Sequence, residues 1–554
     1  MKNIKKGIVI FLITLIPVSI GLQSCQKVVD ILNIVDQVLS LTGWLFNDEN
    51  MDNIPEDITP FDDDDSVPLR DAVSLESKFP PIGDQGSYGT CVAWSVGYNL
   101  KTSLNAIEKG WNTTDLNNSE NQASPYDLWK SINKANKAGS GCNGTNFEPA
   151  LDAIISNGVA SLNSVPYTKT LNCSDKNPAG SSANKLANYR KIASETQGLT
   201  VDNFKGYLNA GRPIAIGAKL GERFMGWNSS NVLSDDTDTY KGQHAYHAMA
   251  LVGYDDNKQA FRVRNSWGGS WGDNGSIWVD YDFFCKQFCF AAFVAQNPTA
   301  SLGSSGTTGV SGPDLLAFYV EDYPSTDPDD IAEGRNRTFS YDVYNAGTTT
   351  ISPSQKWTIT YMYYNAKNAK QYEIIYDDYF TDEDPDILPG EYMYNENSTS
   401  IAKGYWNNIT ISSGENYGFD DEIAYMMPKI TGEYYLVVMA DAFDVISEVN
   451  EDNNFYFITA ANGKPLNFVN GATQDMPPKK TSLQRTSSSV KRPAQFSNTE
   501  TQTTVVEGNM NAYTPAEIKA MLLHDKKSGK LDAKRKAFHV ENSEGELSVK
   551  RARK

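Results

Sequence analysis

A Ser/Gly/Thr-rich run from Thr299 to Pro313 divides this chain into two stretches with different hydrophobic patterning, which a single core could not accommodate. Before it, a dense region from about Val67 to Gln296 mixes helical and strand periodicities. After it, from Asp314 to about Ala461, short alternating stretches such as Thr338–Tyr344, Trp357–Tyr361 and Tyr434–Val438 are punctuated by Asn, Gly and Asp. That second pattern predicts an all-β sandwich. With 554 residues, 40% of them hydrophobic, the chain is long and apolar enough for two or more packed cores.

The N-terminus reads as an export signal over residues 1–24. Lys2, Lys5 and Lys6 precede an apolar run from Ile8 to Leu22 that is too short and wrongly flanked for a stable membrane span. No later segment is long and apolar enough to span a bilayer. The run ends at Leu22-Gln23-Ser24-Cys25, which resembles a bacterial lipobox, although Gln23 is a loose fit. The resemblance implies lipidation of Cys25, a membrane anchor, and an outer-membrane or cell-surface lipoprotein. An ordinary secretory signal would give a periplasmic or secreted protein instead. Within residues 25–66, Val29, Ile31, Leu32, Ile34, Val35, Val38 and Leu39 have the spacing of an amphipathic helix. An acidic linker follows from Asn47 to Val67.

Charge is unevenly spread. Net charge is −19, yet residues 479–554 carry +8, leaving −27 on the remainder. Such an acidic body argues against a nucleic-acid surface. The tail, residues 463–554, is polar, basic and serine-rich and is expected to be largely disordered. One helix is predicted within it, with Thr514 as N-cap, Pro515 at its first position and Ile518, Met521 and Leu522 on one face.

Cys91 opens an apolar helical pattern in Thr90-Cys91-Val92-Ala93-Trp94-Ser95-Val96, where a helix N-terminus favours a thiolate. A thiolate nucleophile needs a base, and the chain has four histidines. His524 and His539 lie in the polar tail, and His244 reads as an exposed loop residue. His247 enters a small-apolar run, Ala248–Tyr254, that predicts a buried strand. The next strand, Phe261–Arg264, leads into Asn265-Ser266-Trp267-Gly268. An Asn oxygen there can accept from the imidazole N–H, and a following Trp can shield that bond.

Together, Gln85–Ser95, Gly141-Cys142-Asn143-Gly144, His247–Tyr254 and Asn265–Gly275 resemble the papain-like cysteine peptidases (papain/cathepsin family), over about 67–297. The implied fold is α+β, with a helical lobe and a β-barrel lobe meeting at a cleft. The implied roles are Cys91 as nucleophile, His247 as general base and then acid, and Asn265 as its orienting partner. Gln85 and the Cys91 backbone N–H would form the oxyanion hole. Gly144, Thr145 and Ala248 would meet an extended substrate strand, and Trp267 would cover the His–Asn pair. No cofactor or metal is implied, and the partners are protein or peptide substrates.

Several positions depart from the family pattern. Tyr88 stands where a cysteine normally pairs with the one at Cys142, which therefore needs another partner. Cys173 is the nearest candidate, and Cys285 and Cys289 are candidates to bridge each other; four cysteines allow three connectivities. Thr145 replaces a second glycine, and Val92 replaces an aromatic residue. The family's long helical propeptide has no room between Cys25 and the catalytic region. Latency would then come from the stretch up to Pro80, or from export itself.

After the linker at 298–313, residues 314–462 resemble bacterial adhesion-related immunoglobulin-like domains of the CARDB type. The carrying residues are Pro313–Leu316, Asn345-Ala346-Gly347 and Asp441–Asn454. The resemblance implies a spacer or a surface-docking module. The acidic hairpin at 441–454 has calcium-ligand chemistry, but Asx turns satisfying their own backbone are the favoured reading. The function expected is that of an exported cysteine endopeptidase. The competing readings are a catalytically silent binding or adhesion protein and a thiol-dependent acyl transferase.

Overall fold

A computed structural model describes residues 42–46, 51, 54–59, 69–139, 141–194 and 200–298. It also describes, with interruptions, 312–377, 416–475, 513–534 and 549–552. The leader, Cys25 and the helical pattern at 29–39 lie outside these residues. The chain forms two compact units. The first contains 68–186 and 193–297 together with Thr42–Phe46, and the second contains 187–192, the chain beyond 298, and the linker residues 49–67.

The first unit joins helices to a mostly antiparallel sheet. Its longest helical run begins at Cys91, widens into π-type turns over Ala93–Lys101 and continues as an α-helix over Thr102–Glu108. Wide turns of this kind are uncommon and cluster at functional sites. The run is buried on nearly every side, and its buried Lys101 is bonded, Nζ donating to Asn105 Oδ1 at 2.7 Å. Shorter helices, Thr113–Asn117, Pro125–Ser131 and Phe147–Asn157, accompany it. Asn112 and Ser124 cap the first two by accepting backbone N–H bonds.

In the sheet, Ala245–Asp255 pairs with Ile214–Leu220 on one side and with Ala260–Arg264 on the other. Cys289–Gln296 extends it beyond Ile214–Leu220, and Ser276–Asp280 beyond Ala260–Arg264. The strand that begins just before His247 is buried along nearly its whole length, which explains its unbroken small-apolar sequence. Helix and sheet are joined by a buried bond in which Ser95 Oγ donates to the Met249 carbonyl at 2.6 Å.

In the second unit, two five-stranded sheets share a core. Phe339 and Tyr425 from one meet Ile359, Tyr361, Leu436 and Val438 from the other. Asp322 is buried at this junction and is held by Arg337 Nε at 2.7 Å and by the hydroxyls of Tyr361 and Tyr425. Within the stretch 441–454, of which 449–453 lie outside the described residues, the Asp441 carboxylate accepts the backbone N–H groups of Val445 (3.0 Å) and Ile446 (2.7 Å), so it serves a turn.

Parts of the tail are ordered, while 476–512 and 535–548 lie outside the described residues. Leu466–Phe468 pairs with Gly432–Ala440, and Val549–Ala552 pairs with Glu422–Tyr425. The helix Pro515–Lys527 forms where predicted, with a reciprocal capping box between Thr514 and Glu517. Ile518, Met521, Leu522 and Leu531 are buried with Met362, Tyr364, Tyr435, Val437 and Met439, on the opposite face of the second sheet from the shared core. A polar composition concealed this docking because only one narrow stripe of the tail is apolar.

Candidate active site

Cys91 and His247 meet where the long helical run approaches the strand Ala245–Asp255. Both are fully buried. The Cys91 sulfur accepts the Ala248 backbone N–H at 3.3 Å, which places it beside the residue that follows the histidine. His247 Nε2 lies 2.7 Å from Asn265 Oδ1. The same Oδ1 accepts the Ser266 N–H at 2.7 Å, which fixes the orientation of the asparagine amide. Nε2 must therefore carry the imidazole proton, leaving the Nδ1 lone pair free to act as a base. Nδ1 is buried and makes no hydrogen bond of ordinary geometry among the described residues.

Trp267 lies over the imidazole, with ring centroids 4.8 Å apart, and is itself packed edge-on against Trp271. This excludes water from the His–Asn bond. The loop carrying Gln85 is bonded to the same segment: Gln85 N–H donates to the Ser266 carbonyl at 2.8 Å, and Ser266 Oγ donates to Gln85 Oε1 at 2.8 Å. Oε1 is thus committed as an acceptor, and Nε2 is turned toward the Tyr88 carbonyl (2.8 Å) and the Thr42 carbonyl (3.4 Å). Tyr167 adds a brace, donating to the Gln85 carbonyl at 2.9 Å and lying 2.7 Å from Thr90 Oγ1. The sequence reading missed Ser266 and Tyr167. Ser266 was hidden as the unremarked middle of Asn265-Ser266-Trp267, and Tyr167 lies too far along the chain to register locally.

The larger omission is Thr42–Phe46, which occupies the cleft. Thr145 N–H donates to the Gly43 carbonyl and Leu45 N–H donates to the Thr145 carbonyl, both at 3.0 Å, in parallel register. Trp44 N–H donates to the Tyr246 carbonyl at 3.2 Å. The Trp44 side chain is buried among the rings of Phe46, Phe147 and Tyr246. Gly217 makes room for it, since a Cβ there would lie 2.4 Å from the indole. Gly144 and Thr145, expected to meet a substrate strand, instead meet this stretch of the chain itself. No periodicity signals such a segment, because five residues in extended form carry no repeat.

Electrostatics follow from the complete burial of both side chains. Burial pushes the Cys91 thiol up to about 12, outweighing the N–H groups of Ala248, Val92 and Cys91 that pull it down. Burial also drives His247 down to about 4, against the Asn265 bond and the Thr42 backbone, which favour the charged ring. The expected thiolate is therefore absent in this closed form: the pair is neutral thiol and neutral imidazole near pH 7. A helix N-terminus cannot offset complete exclusion of water.

Cys142 and Cys173 form a disulfide. Cys285 and Cys289 do not bridge each other and are both free. The Cys289 sulfur instead donates to the Ala291 carbonyl at 3.4 Å. Among the described residues no cluster of metal-ligating side chains occurs.

Residues 66–289 match the family described as papain family cysteine protease. A cysteine protease of Ambrosia artemisiifolia is 27% identical over 265 residues, covering 47% of this chain and 61% of that protein. Vignain of Vigna mungo is 24% identical over 259 residues, with 45% and 64% covered. Cysteine proteinase 2 of Entamoeba histolytica is 31% identical over 209 residues, with 36% and 60% covered. The chain thus spans somewhat over half the length of these relatives. Xylellain, a cysteine protease from Xylella fastidiosa, superposes with a TM-score of 0.39 at 20% identity, over 47% of this chain and 96% of that one. Residues 66–289 form a papain-family cysteine protease domain.

Proposed function

We propose that this protein is an exported cysteine endopeptidase in which Cys91 attacks the peptide carbonyl. The observation that carries the reading is the 2.7 Å bond from His247 Nε2 to Asn265 Oδ1, with Cys91 Sγ 3.3 Å from the adjacent Ala248 N–H. With Nε2–H committed to Asn265, Nδ1 takes the thiol proton as sulfur bonds to the carbonyl carbon. The developing oxyanion is met by Gln85 Nε2–H and the Cys91 backbone N–H. Collapse of the tetrahedral intermediate breaks the C–N bond, and His247 returns its proton to the leaving amine. Water, deprotonated by the same Nδ1, then cleaves the thioester and regenerates the thiol.

Export rests on the basic-then-apolar leader at residues 1–24, and membrane anchoring on lipidation of Cys25. An immunoglobulin-like module over 314–462, serving as spacer or docking surface, accords with two antiparallel sheets around one core. The test is an intact-mass measurement of the mature chain treated with a peptidyl epoxide, alongside cleavage of an unfolded protein. Trp44→Ala, with and without Cys91→Ala, keeps a covered site from being mistaken for an inert one. A single adduct on Cys91 and cleavage abolished by Cys91→Ala are expected. An open Trp44→Ala cleft that neither labels nor cleaves would overturn the reading.

A further inference from the structure

The segment filling the cleft is tied, four residues later, to an anchor in the second unit. There Lys191 N–H donates to the Pro55 carbonyl at 2.9 Å, and Asp57 N–H donates to the Lys191 carbonyl at 2.8 Å. Lys191 Nζ reaches the Met51 carbonyl at 3.3 Å. Lys191 belongs to the strand Asn188–Ser194, whose chain re-enters the first unit at Ala193.

The tail closes over this anchor. Glu517 takes two bonds from the buried Arg190 guanidinium, at 3.0 Å and 2.8 Å, a forked pairing with well-defined geometry. The same guanidinium lies 4.9 Å from the Tyr513 ring centroid. The Tyr513 hydroxyl lies 2.8 Å from the Glu56 carbonyl and 3.0 Å from the Lys367 carbonyl, so its one proton serves both. Ile58 is buried in the same cluster as Ile518, Met521, Leu522 and Leu531. Tyr513, just before the tail helix, thus bonds the anchor's backbone, and the helix itself shares an apolar cluster with Ile58.

We propose that the tail helix Pro515–Lys527 is a latch: by clamping residues 54–58 it keeps Thr42–Phe46 in the cleft, and its undocking opens the cysteine site. The consequence for activity rests on the peptidase reading; the latch itself does not. With the anchor held, four residues separate Phe46 from the fixed Met51. With it released, the tether measured from Phe46 to Leu69 has twenty-two intervening residues. Loop-closure statistics make this a roughly tenfold fall in the effective concentration of the segment at the cleft. A five-residue stretch with few backbone bonds of its own is sensitive to such a change.

The experiment uses the full mature chain. It reads alkylation of Cys91 by iodoacetamide, mapped by mass, together with hydrogen exchange at residues 54–58. One variant, Ile518→Asp with Leu522→Asp, removes the helix from its sheet. A milder one, Tyr513→Phe with Glu517→Gln, leaves the apolar stripe intact and guards against general unfolding. Both should raise exchange at 54–58 and accelerate Cys91 alkylation, by about tenfold for the first. Added to Trp44→Ala, neither should accelerate it further. Increased exchange at 54–58 with an unchanged alkylation rate overturns the latch, as does faster alkylation without that exchange. A Trp44→Ala protein that alkylates readily but cleaves no unfolded protein sinks the peptidase reading alone.

Discussion

The Thr42 carbonyl oxygen lies 3.4 Å from Gln85 Nε2, the amide proton source proposed to meet a substrate's oxyanion. The donor's shorter bond, 2.8 Å, goes to the Tyr88 carbonyl. Thr42 therefore takes up part of the donor capacity of an amide that is turned mainly toward Tyr88. In the closed form that amide is spent on two carbonyls of the chain itself.

Trp44→Ala should open the cleft. Truncating a fully buried aromatic costs about 3–5 kcal/mol in a core, and a partial loss at a cleft corresponds to roughly 10- to 100-fold more open protein. The rate of Cys91 alkylation reads this directly. Gly217→Val should act in the same direction, since any Cβ there collides with the indole. An unchanged rate in both variants would mean that the Trp44 pocket does not hold the segment.

Opening should depend on pH in both directions. His247 is held at about 4 against an ordinary 6.5, so between those values the open form takes up a proton that the closed form refuses. The closed state keeps this contribution in full above 6.5 and loses it as pH falls toward 4. Cys91 is held at about 12 against 9.0, so above pH 9 the open form releases a proton that the closed form retains, and alkali opens the site as well. Closure should be most secure between about pH 6.5 and 9. Protection of the Thr42–Phe46 amides across pH, corrected for intrinsic exchange, tests this; a profile falling on one side only would assign the effect to one residue.

In an opened background, His247→Ala should reduce kcat by about 10⁴-fold, and Asn265→Ala by about 10- to 100-fold with KM little changed. Ser266→Ala should cost roughly tenfold in kcat, because Gln85 Oε1 loses its donor while the nucleophile and base are untouched. Steady-state kinetics on a short fluorogenic peptide would distinguish these. A Ser266→Ala enzyme with unchanged kcat would show that Gln85 keeps its orientation without that donor.

The Cys142–Cys173 bridge closes a loop of 31 residues next to Gly144 and Thr145. Replacing both cysteines by serine should lower stability by about 2–4 kcal/mol, read as a fall in Tm. Paired replacement of Cys285 and Cys289 has no cross-link to remove and should not reproduce that loss.

Residues whose neighbours are fixed by local pattern were legible from the sequence. Cys91 sits where a helical run begins, His247 where an apolar strand enters, and Asn265 where the next strand ends. The Thr514-Pro515 helix start was equally readable, because capping is a matter of adjacent residues. What was not legible depended on distance along the chain. Trp44 meets Phe147 and Tyr246, Tyr167 reaches back to Gln85, and Arg190 finds Glu517, 327 positions away. The neutral state of Cys91 was hidden for the same reason: it depends on complete burial in the folded chain, which no local pattern displays.

Because Thr42–Phe46 is part of the chain it covers, blocker and cleft are synthesised in equal number at every expression level. Diluting the protein does not release the blocker, and accumulation does not exhaust it. A soluble competitor has to outmatch a local concentration on the order of millimolar for so short a tether. Exposure of the cysteine is then governed by events within a single molecule, whatever the abundance of its neighbours.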